Sequence, residues 1–130
     1  SRHDALPSLL NSVGARLLPR RGGEGTTGAV AYVLLVEKSK LLFVGSNLPK
    51  PSADHQFQLW LHRKEEPKVV SAGVFSPDDK NHAMVEYTEA SLLSEVSFVS
   101  ITEEPTGGSS APTAEHLFDT SPGAAANSED

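Results

Sequence analysis

Apolar and polar positions alternate in short runs from about residue 28 onward, which is typical of half-buried β-strands. Turn residues separate the runs, and no helix-length segment lies between them, so parallel βαβ units are excluded. The pattern predicts an all-β fold, an antiparallel β-sandwich of about seven strands. The predicted strands are Ala29–Glu37, Lys40–Val44, Gln56–His62, Val69–Phe75, His82–Tyr87, Val96–Glu103 and Glu115–Phe118.

Local residue choices refine this prediction. Lys38 and Ser39 predict a tight hairpin between the first two strands, and Ser76–Asp79 is a strong turn signal. Gly73 lies inside a strand, where an internal glycine often marks a bulge. The strand Gln56–His62 alternates strictly. Phe57, Leu59 and Leu61 are predicted to face one way, and Gln56, Gln58, Trp60 and His62 to face the other.

The N-terminal segment has a different period. Ala5–Leu18 predicts a short helix, because one face collects apolar residues at helical spacing. These are Leu6, Leu9, Leu10, Val13 and Leu17. The segment is locally basic, so it is either a juxtamembrane helix or an ordinary leader helix. Arg20–Gly28 is Gly-rich and predicts a flexible linker.

The sequence therefore predicts that the two ends of the chain differ in structure from its centre. We expect residues 1–27 to form a juxtamembrane-like helix and Gly-rich linker, and residues 28–118 to form the β-sandwich domain. Residues 119–130 contain too little apolar surface to fold, and are expected to be a disordered tail. Between the strands, Glu89–Glu95 is predicted to form either one helical turn or a loop.

Composition excludes several functions. The net charge of −6 argues against nucleic-acid binding, and the longest basic cluster is only Arg20-Arg21. The absence of cysteine excludes disulfides, thiolate metal sites and a thiol nucleophile. No apolar run approaches the 18 or so residues that a membrane span needs. The chain is therefore expected to be a soluble piece of a longer protein.

Five histidines are the candidate metal ligands: His3, His55, His62, His82 and His116. No two of them lie at the short spacings along one element that metal sites typically use. Surface positions are the favoured interpretation, and we predict no metal and no cofactor.

The sequence also predicts that the chain is not an enzyme. No serine lies in a nucleophile-elbow or S-x-x-K motif. Glu103 and Glu104 are strand neighbours that point to opposite faces, and Glu65-Glu66 belongs to a solvated loop. Gly107–Ser110 lacks the following Lys-Ser/Thr of a phosphate-binding loop, so it is interpreted as a flexible connection. We assign no catalytic residues.

Trp60, the only tryptophan, leaves two interpretations open. An exposed indole flanked by Gln56 and Gln58 would suit a sugar-binding platform. A buried indole whose N–H finds a hydrogen-bond partner is the favoured alternative. Ligand-binding residues stay unknown at this point.

Several fragments resemble one family in order and spacing. Leu48-Pro49, Phe57–Trp60, Ser71–Phe75 and the run Thr102–Ser109 followed by Pro112-Thr113 are similar to motifs of the C-terminal domain of the anti-sigma-K factor (RskA) family. The resemblance extends over about residues 28–118. Phe57 stands where the family usually has tyrosine, which removes one hydroxyl.

This resemblance implies an extracytoplasmic sensor or regulatory domain of a bacterial membrane-anchored anti-sigma factor. It implies negative regulation of transcription that regulated proteolysis relieves. The implied partners are an external signal or regulatory protein and proteases. The sigma factor would be bound through a cytoplasmic domain, often zinc-binding, and the membrane through an upstream span, both outside this sequence. The alternative hypothesis is a secreted ligand- or carbohydrate-binding β-sandwich module that uses Trp60.

Overall fold

The computed structural model describes residues 14–19, 28–36, 40–63, 69–88 and 96–120. Within these ranges the chain forms eight β-strands and no helix. The strands are β1 (Gly14–Pro19), β2 (Val30–Val36), β3 (Lys40–Ser46), β4 (His55–Arg63), β5 (Val69–Phe75), β6 (Ala83–Tyr87), β7 (Val96–Pro105) and β8 (Phe118–Asp119).

All strand pairs are antiparallel, in the order β5-β4-β7-β8-β1-β2-β3-β6. The two edge strands, β5 and β6, also contact each other, so the sheet is nearly closed and barrel-like. The predicted all-β antiparallel class is confirmed. Its two predicted layers are halves of one sheet that is continuous through β1 and β8.

The prediction of an N-terminal helix is wrong for the part that the structure describes. Gly14–Pro19 is a strand that pairs with β2 from Gly14↔Leu34 onward and with β8 at Leu18↔Asp119. Pairing on both sides outweighs the weak local preference for a helix. Leu17 was predicted to lie on the apolar face of this helix. In the strand it points into the core and is 1% exposed. The rest of the predicted helix lies outside the described residues.

The C-terminal strand is shifted relative to the prediction. The predicted strand was Glu115–Phe118, but only Phe118 of that range is in a strand. The other residue of β8 is Asp119, which the prediction assigned to the tail. The backbone N–H of Thr120 also donates to Val99 O at 3.0 Å. The division into residues 1–27, 28–118 and 119–130 stays a prediction, although β1 and Asp119 belong to the sheet. Glu89–Glu95, Lys38-Ser39 and most of the predicted linker lie outside the described residues.

The hydrophobic core lies inside the curved sheet and joins its two halves. The Phe75 ring lies 5.2 Å from the Phe43 ring and 5.7 Å from the Phe57 ring, centroid to centroid. Apolar side chains at alternate positions of each long strand contribute to this core. The other buried apolar residues of this core are Leu17, Ala29, Ala31, Val33, Leu41, Leu48, Leu59, Leu61, Ala72, Val99, Ile101 and Phe118.

Two predicted local features are confirmed. In β5 the register shifts, so that Leu59 pairs with Gly73 and Trp60 pairs with Ser71, which is a bulge at the predicted glycine. Gly73 has a φ of 122°, a conformation that favours glycine. In the turn between β5 and β6, the Asp78 carboxylate accepts hydrogen bonds from two following backbone N–H groups. These bonds lower the pKa of Asp78.

Candidate functional site

A second buried layer lies on the opposite side of β4 and β7 from the core. Gln58, Thr102 and Glu104 are buried there, and Trp60 is 0% exposed. The indole Nε1–H of Trp60 donates to Thr102 Oγ1 at 2.8 Å. The interpretation of Trp60 as a buried, hydrogen-bonded residue is therefore confirmed. The sugar platform is wrong, because no face of this indole is open to a ligand.

The chain after β7 folds back over this layer. Backbone N–H groups of Gly107 and Ser109 donate to the side-chain oxygens of Gln56 (3.0 Å) and Gln58 (2.9 Å). Gln58 Nε2 donates in turn to Ser71 Oγ at 2.7 Å and to Ser109 O at 3.1 Å. The amide of Gln58 thus connects β5, β4 and the returning loop, residues 106–117.

Glu104 is the centre of this arrangement, which we call the Glu104 network. Its carboxylate is 0% exposed and accepts four hydrogen bonds. Oε2 accepts from Thr102 Oγ1 (2.5 Å) and from the Thr113 backbone N–H (3.0 Å). Oε1 accepts from Ser109 Oγ (2.9 Å) and Thr113 Oγ1 (2.5 Å). The carboxylate therefore fastens the returning loop to β7.

These donors decide the charge of Glu104. Burial by itself raises the pKa of a carboxyl, because it penalises the charged form. In Glu104, hydrogen bonds from Thr102, Thr113 and Ser109 outweigh that cost, and the pKa lies below its ordinary value of 4.5. The Glu104 carboxylate is therefore charged, and each of its oxygens accepts two hydrogen bonds. Such a group holds the loop in place and is not suited to transferring protons.

Two glycines allow the loop to approach the sheet. Gly107 and Gly108 have φ values of 94° and 90°, in the region that favours glycine. A Cβ on Gly108 would lie 2.7 Å from Val74 Cγ1 and 3.1 Å from Gln58 Oε1, whereas a Cβ on Gly107 would meet nothing within 4 Å. Gly108 is therefore required for both conformation and space. Gly107–Ser110 is a loop, as predicted, and hydrogen bonds to Gln56, Gln58 and Glu104 hold it against the sheet.

Three of the four fragments that resemble the family meet in this network, whereas Leu48 of the fourth belongs to the hydrophobic core. Phe57–Trp60 supplies the Gln58 amide and the indole, Ser71–Phe75 supplies the Ser71 hydroxyl, and Thr102–Ser109 supplies the carboxylate and the glycines. The sequence analysis did not predict that they touch, because alternation places Gln58 and Trp60 on the face opposite Phe57 and does not show which segment covers that face. The signal that could have found it was the density of hydroxyls around Glu104 in one short run.

A second polar cluster lies beside β8. The His62 ring stacks on Phe98 with centroids 4.0 Å apart and lies 5.3 Å from the His116 ring. His116 Nδ1 is 2.9 Å from Asp119 Oδ2. Burial, reinforced by His116 and opposed by Asp119, lowers the pKa of His62 from 6.5 to about 4. His62 is therefore neutral at pH 7, and the interpretation of the five histidines as surface residues does not hold for His62, which is half-buried.

This cluster contains a Ser–His contact that sequence spacing could not reveal. His62 Nε2 lies 2.7 Å from Ser100 Oγ. Ser100 is fully buried, however, and the carboxylate of Asp119 lies 2.9 Å from His116 Nδ1. A substrate carbonyl cannot reach the Ser100 hydroxyl, so the geometry does not support a nucleophile.

The remaining candidates stay apart. His55 and His82 are exposed, and His3 and Glu65-Glu66 lie outside the described residues. Glu103 accepts a hydrogen bond from the Ser52 backbone N–H and shares no partner with Glu104. Among the described residues, no group of three or more His, Asp or Glu side chains could hold a metal ion. Nor does that part of the chain include a helix of the length and apolarity needed to cross a bilayer.

The fold and the network define a class of protein: an all-β domain whose buried polar residues hold its own loop in place. The chain belongs to the family described as anti-sigma-K factor rskA, C-terminal, whose model matches residues 3–122. This family is regulatory rather than catalytic, and its members are membrane-anchored anti-sigma factors. No curated protein matches the chain, and no solved structure does.

Proposed function

We propose that this domain is the extracytoplasmic sensor and regulatory part of a membrane-anchored anti-sigma factor. In this proposal the domain responds to an external signal or partner, and proteolysis of the anchor then relieves negative regulation of transcription. Membership of the anti-sigma-K factor family over residues 3–122 is the observation that carries the proposal.

The physical character of the domain supports a regulatory role. Two of its buried polar side chains, Glu104 and Gln58, form several internal hydrogen bonds. A domain of this kind can act through stability and accessibility, because loss of the loop would leave a buried carboxylate without its donors. A signal that alters the loop would therefore alter the stability of the whole sheet.

The side of the membrane on which the domain lies is tested in the full-length protein. Alkaline phosphatase, which is active only outside the cytoplasm, is fused after residue 120, and a cytoplasmic reporter is fused at the same position in a second strain. We expect an active phosphatase and an inactive cytoplasmic reporter. The opposite result would place the domain inside the cell and end the proposal.

Regulation is tested with a promoter that depends on the cognate sigma factor. We expect Glu104→Gln in the full-length protein to raise promoter activity, because a destabilised outer domain exposes the anchor to proteases. The matched control is Glu103→Gln, which changes the adjacent carboxylate and leaves the network intact. Equal promoter activity in both variants, with the isolated Glu104→Gln domain shown to be destabilised, would contradict the regulatory role.

A further inference from the structure

The outer surface of β2, β3 and β6 is unusually apolar. In an antiparallel sheet the face turned away from the core is commonly polar. Here six outward positions carry apolar side chains, and Val30 and Met84 are 37% and 66% exposed. The charged residues of this face, Lys40 and Glu86, form an ion pair beside the apolar positions, and Glu86 pairs with Leu42. We call this surface the outer apolar face; its residues are Val30, Tyr32, Leu34, Leu42, Val44 and Met84.

Strand register makes the outer apolar face continuous. Tyr32 pairs with Val44, which pairs with Met84, and Leu34 pairs with Leu42 in the adjacent row. Partners of this kind lie about 5 Å apart. A depression of about 310 Å³ lies at one end, lined mainly by apolar side chains. A contiguous apolar patch of this kind marks a binding surface.

The chain itself offers an occupant. Ala5–Val13 immediately precedes β1, and Gly14, the first residue of β1, pairs with Leu34 of the outer apolar face. The segment therefore ends at the rim of that face. Its apolar residues recur at helical spacing: Leu6, Leu9, Leu10 and Val13.

Size and family extent agree with this occupant. A helix of this length would be about 14 Å long, and the distance across β1, β2, β3 and β6 is also about 14 Å. The family match begins at residue 3, so the family model includes this segment together with the strands. An isolated helix this short is marginal in water, and an apolar surface to cover would stabilise it.

We propose that Ala5–Val13 binds the outer apolar face as an amphipathic helix. The segment then covers Leu34, Leu42 and Val44 with its leucines and completes the domain from outside. This inference is independent of the proposed regulatory function, since it concerns contacts within one chain.

The absence of native cysteine makes disulfide trapping decisive. Because the helix would cross from β1 to β6, Leu6 near its far end should lie over Met84 on β6, and we expect Leu6→Cys with Met84→Cys to form an intramolecular disulfide under mild oxidation at low protein concentration. The matched control is Leu6→Cys with Ser110→Cys, because Ser110 is exposed on the returning loop that covers β4 and β7. The test pair should cross-link at least about tenfold faster than the control pair. Circular dichroism of both reduced variants verifies the β-fold.

Three outcomes would overturn the proposal. Equal rates in the two pairs would show that the segment has no preferred surface. Disulfide-linked dimers, with a dimeric wild-type protein in sedimentation, would assign the face to a second copy of the chain. Slow trapping together with binding of the wild-type protein to phosphatidylcholine vesicles, abolished by Leu9→Glu, would assign the segment to a lipid surface.

Discussion

At the scale of single residues, the fold depends on polar side chains as much as on apolar ones. Alternation along β4 correctly predicted that Phe57, Leu59 and Leu61 point into the core. It could not predict that Gln58 is buried on the other side, because its cover is Ser109, 51 positions later in the chain. Periodicity reports which face a residue occupies, and only tertiary contacts decide whether that face is open.

Replacing Glu104 tests the network directly. Glu104→Gln puts an amide donor where the carboxylate accepts four hydrogen bonds, and should lower the free energy of unfolding by about 1–3 kcal/mol. The adjacent Glu103→Gln should change it by less than about 0.5 kcal/mol. Urea denaturation at pH 7 measures both, and equal values would contradict the role of the network.

The same carboxylate makes the domain sensitive to acid. The folded pKa of Glu104 lies below its ordinary value of 4.5. Its stabilisation is therefore fully present above the unfolded pKa and is lost as the pH falls through the folded pKa. Unfolding free energies measured from pH 5 downward should fall in the wild-type protein. The unfolding free energy of the Glu104→Gln variant should fall less steeply over that range. Identical slopes in the two proteins would show that other groups cause the acid sensitivity.

His62 acts at a higher pH. Its pKa is about 4 in the folded protein and 6.5 in an unperturbed chain, so the unfolded state takes up a proton first. Stability should therefore decrease as the pH falls from 6.5 to 4, by roughly 1–2 kcal/mol after solvent screening. His62→Gln should flatten this part of the pH profile, whereas the exposed His55→Gln should not. A slope unchanged in His62→Gln would contradict the assignment.

At the scale of elements, local signals predicted the central strands well and the terminal ones poorly. Turns and bulges carry their own chemistry, which is why Gly73 and the Asp78 turn could be placed from sequence. β1 has a helical apolar spacing, and its strand conformation depends on β2 and β8, which lie far away in the sequence. β8 consists of two residues, too few to show any period.

Two glycines of the returning loop allow the energetic cost of a strained backbone to be measured separately from the cost of a side-chain clash. Gly107→Ala and Gly108→Ala both place a side chain at positive φ, but only the second drives a Cβ to 2.7 Å from Val74. We expect Gly108→Ala to cost about 1–3 kcal/mol more than Gly107→Ala, because the well-packed sheet beneath cannot yield without strain. Thermal and urea unfolding measure the difference, and equal losses would exclude the collision.

At the scale of the whole molecule, the predicted linker should be the first site of proteolysis. Trypsin is expected to cut at Arg20 or Arg21 before any site within Gln56–Phe75. Because β1 pairs with β2 and β8, the two fragments should elute together in gel filtration and separate only in denaturant. Mass spectrometry identifies the cuts, and Arg20→Gln with Arg21→Gln is the control. First cuts inside Gln56–Phe75 would contradict the prediction.

The position of β1 has a mechanical consequence. This strand joins β2 on one side to β8 on the other, and its first residue is Gly14. A force applied to the chain ahead of Gly14 is therefore shared between two ladders of backbone hydrogen bonds. If that force pulled β1 out, the barrel would split along one line, leaving Ala31 and Phe118 facing water across the gap.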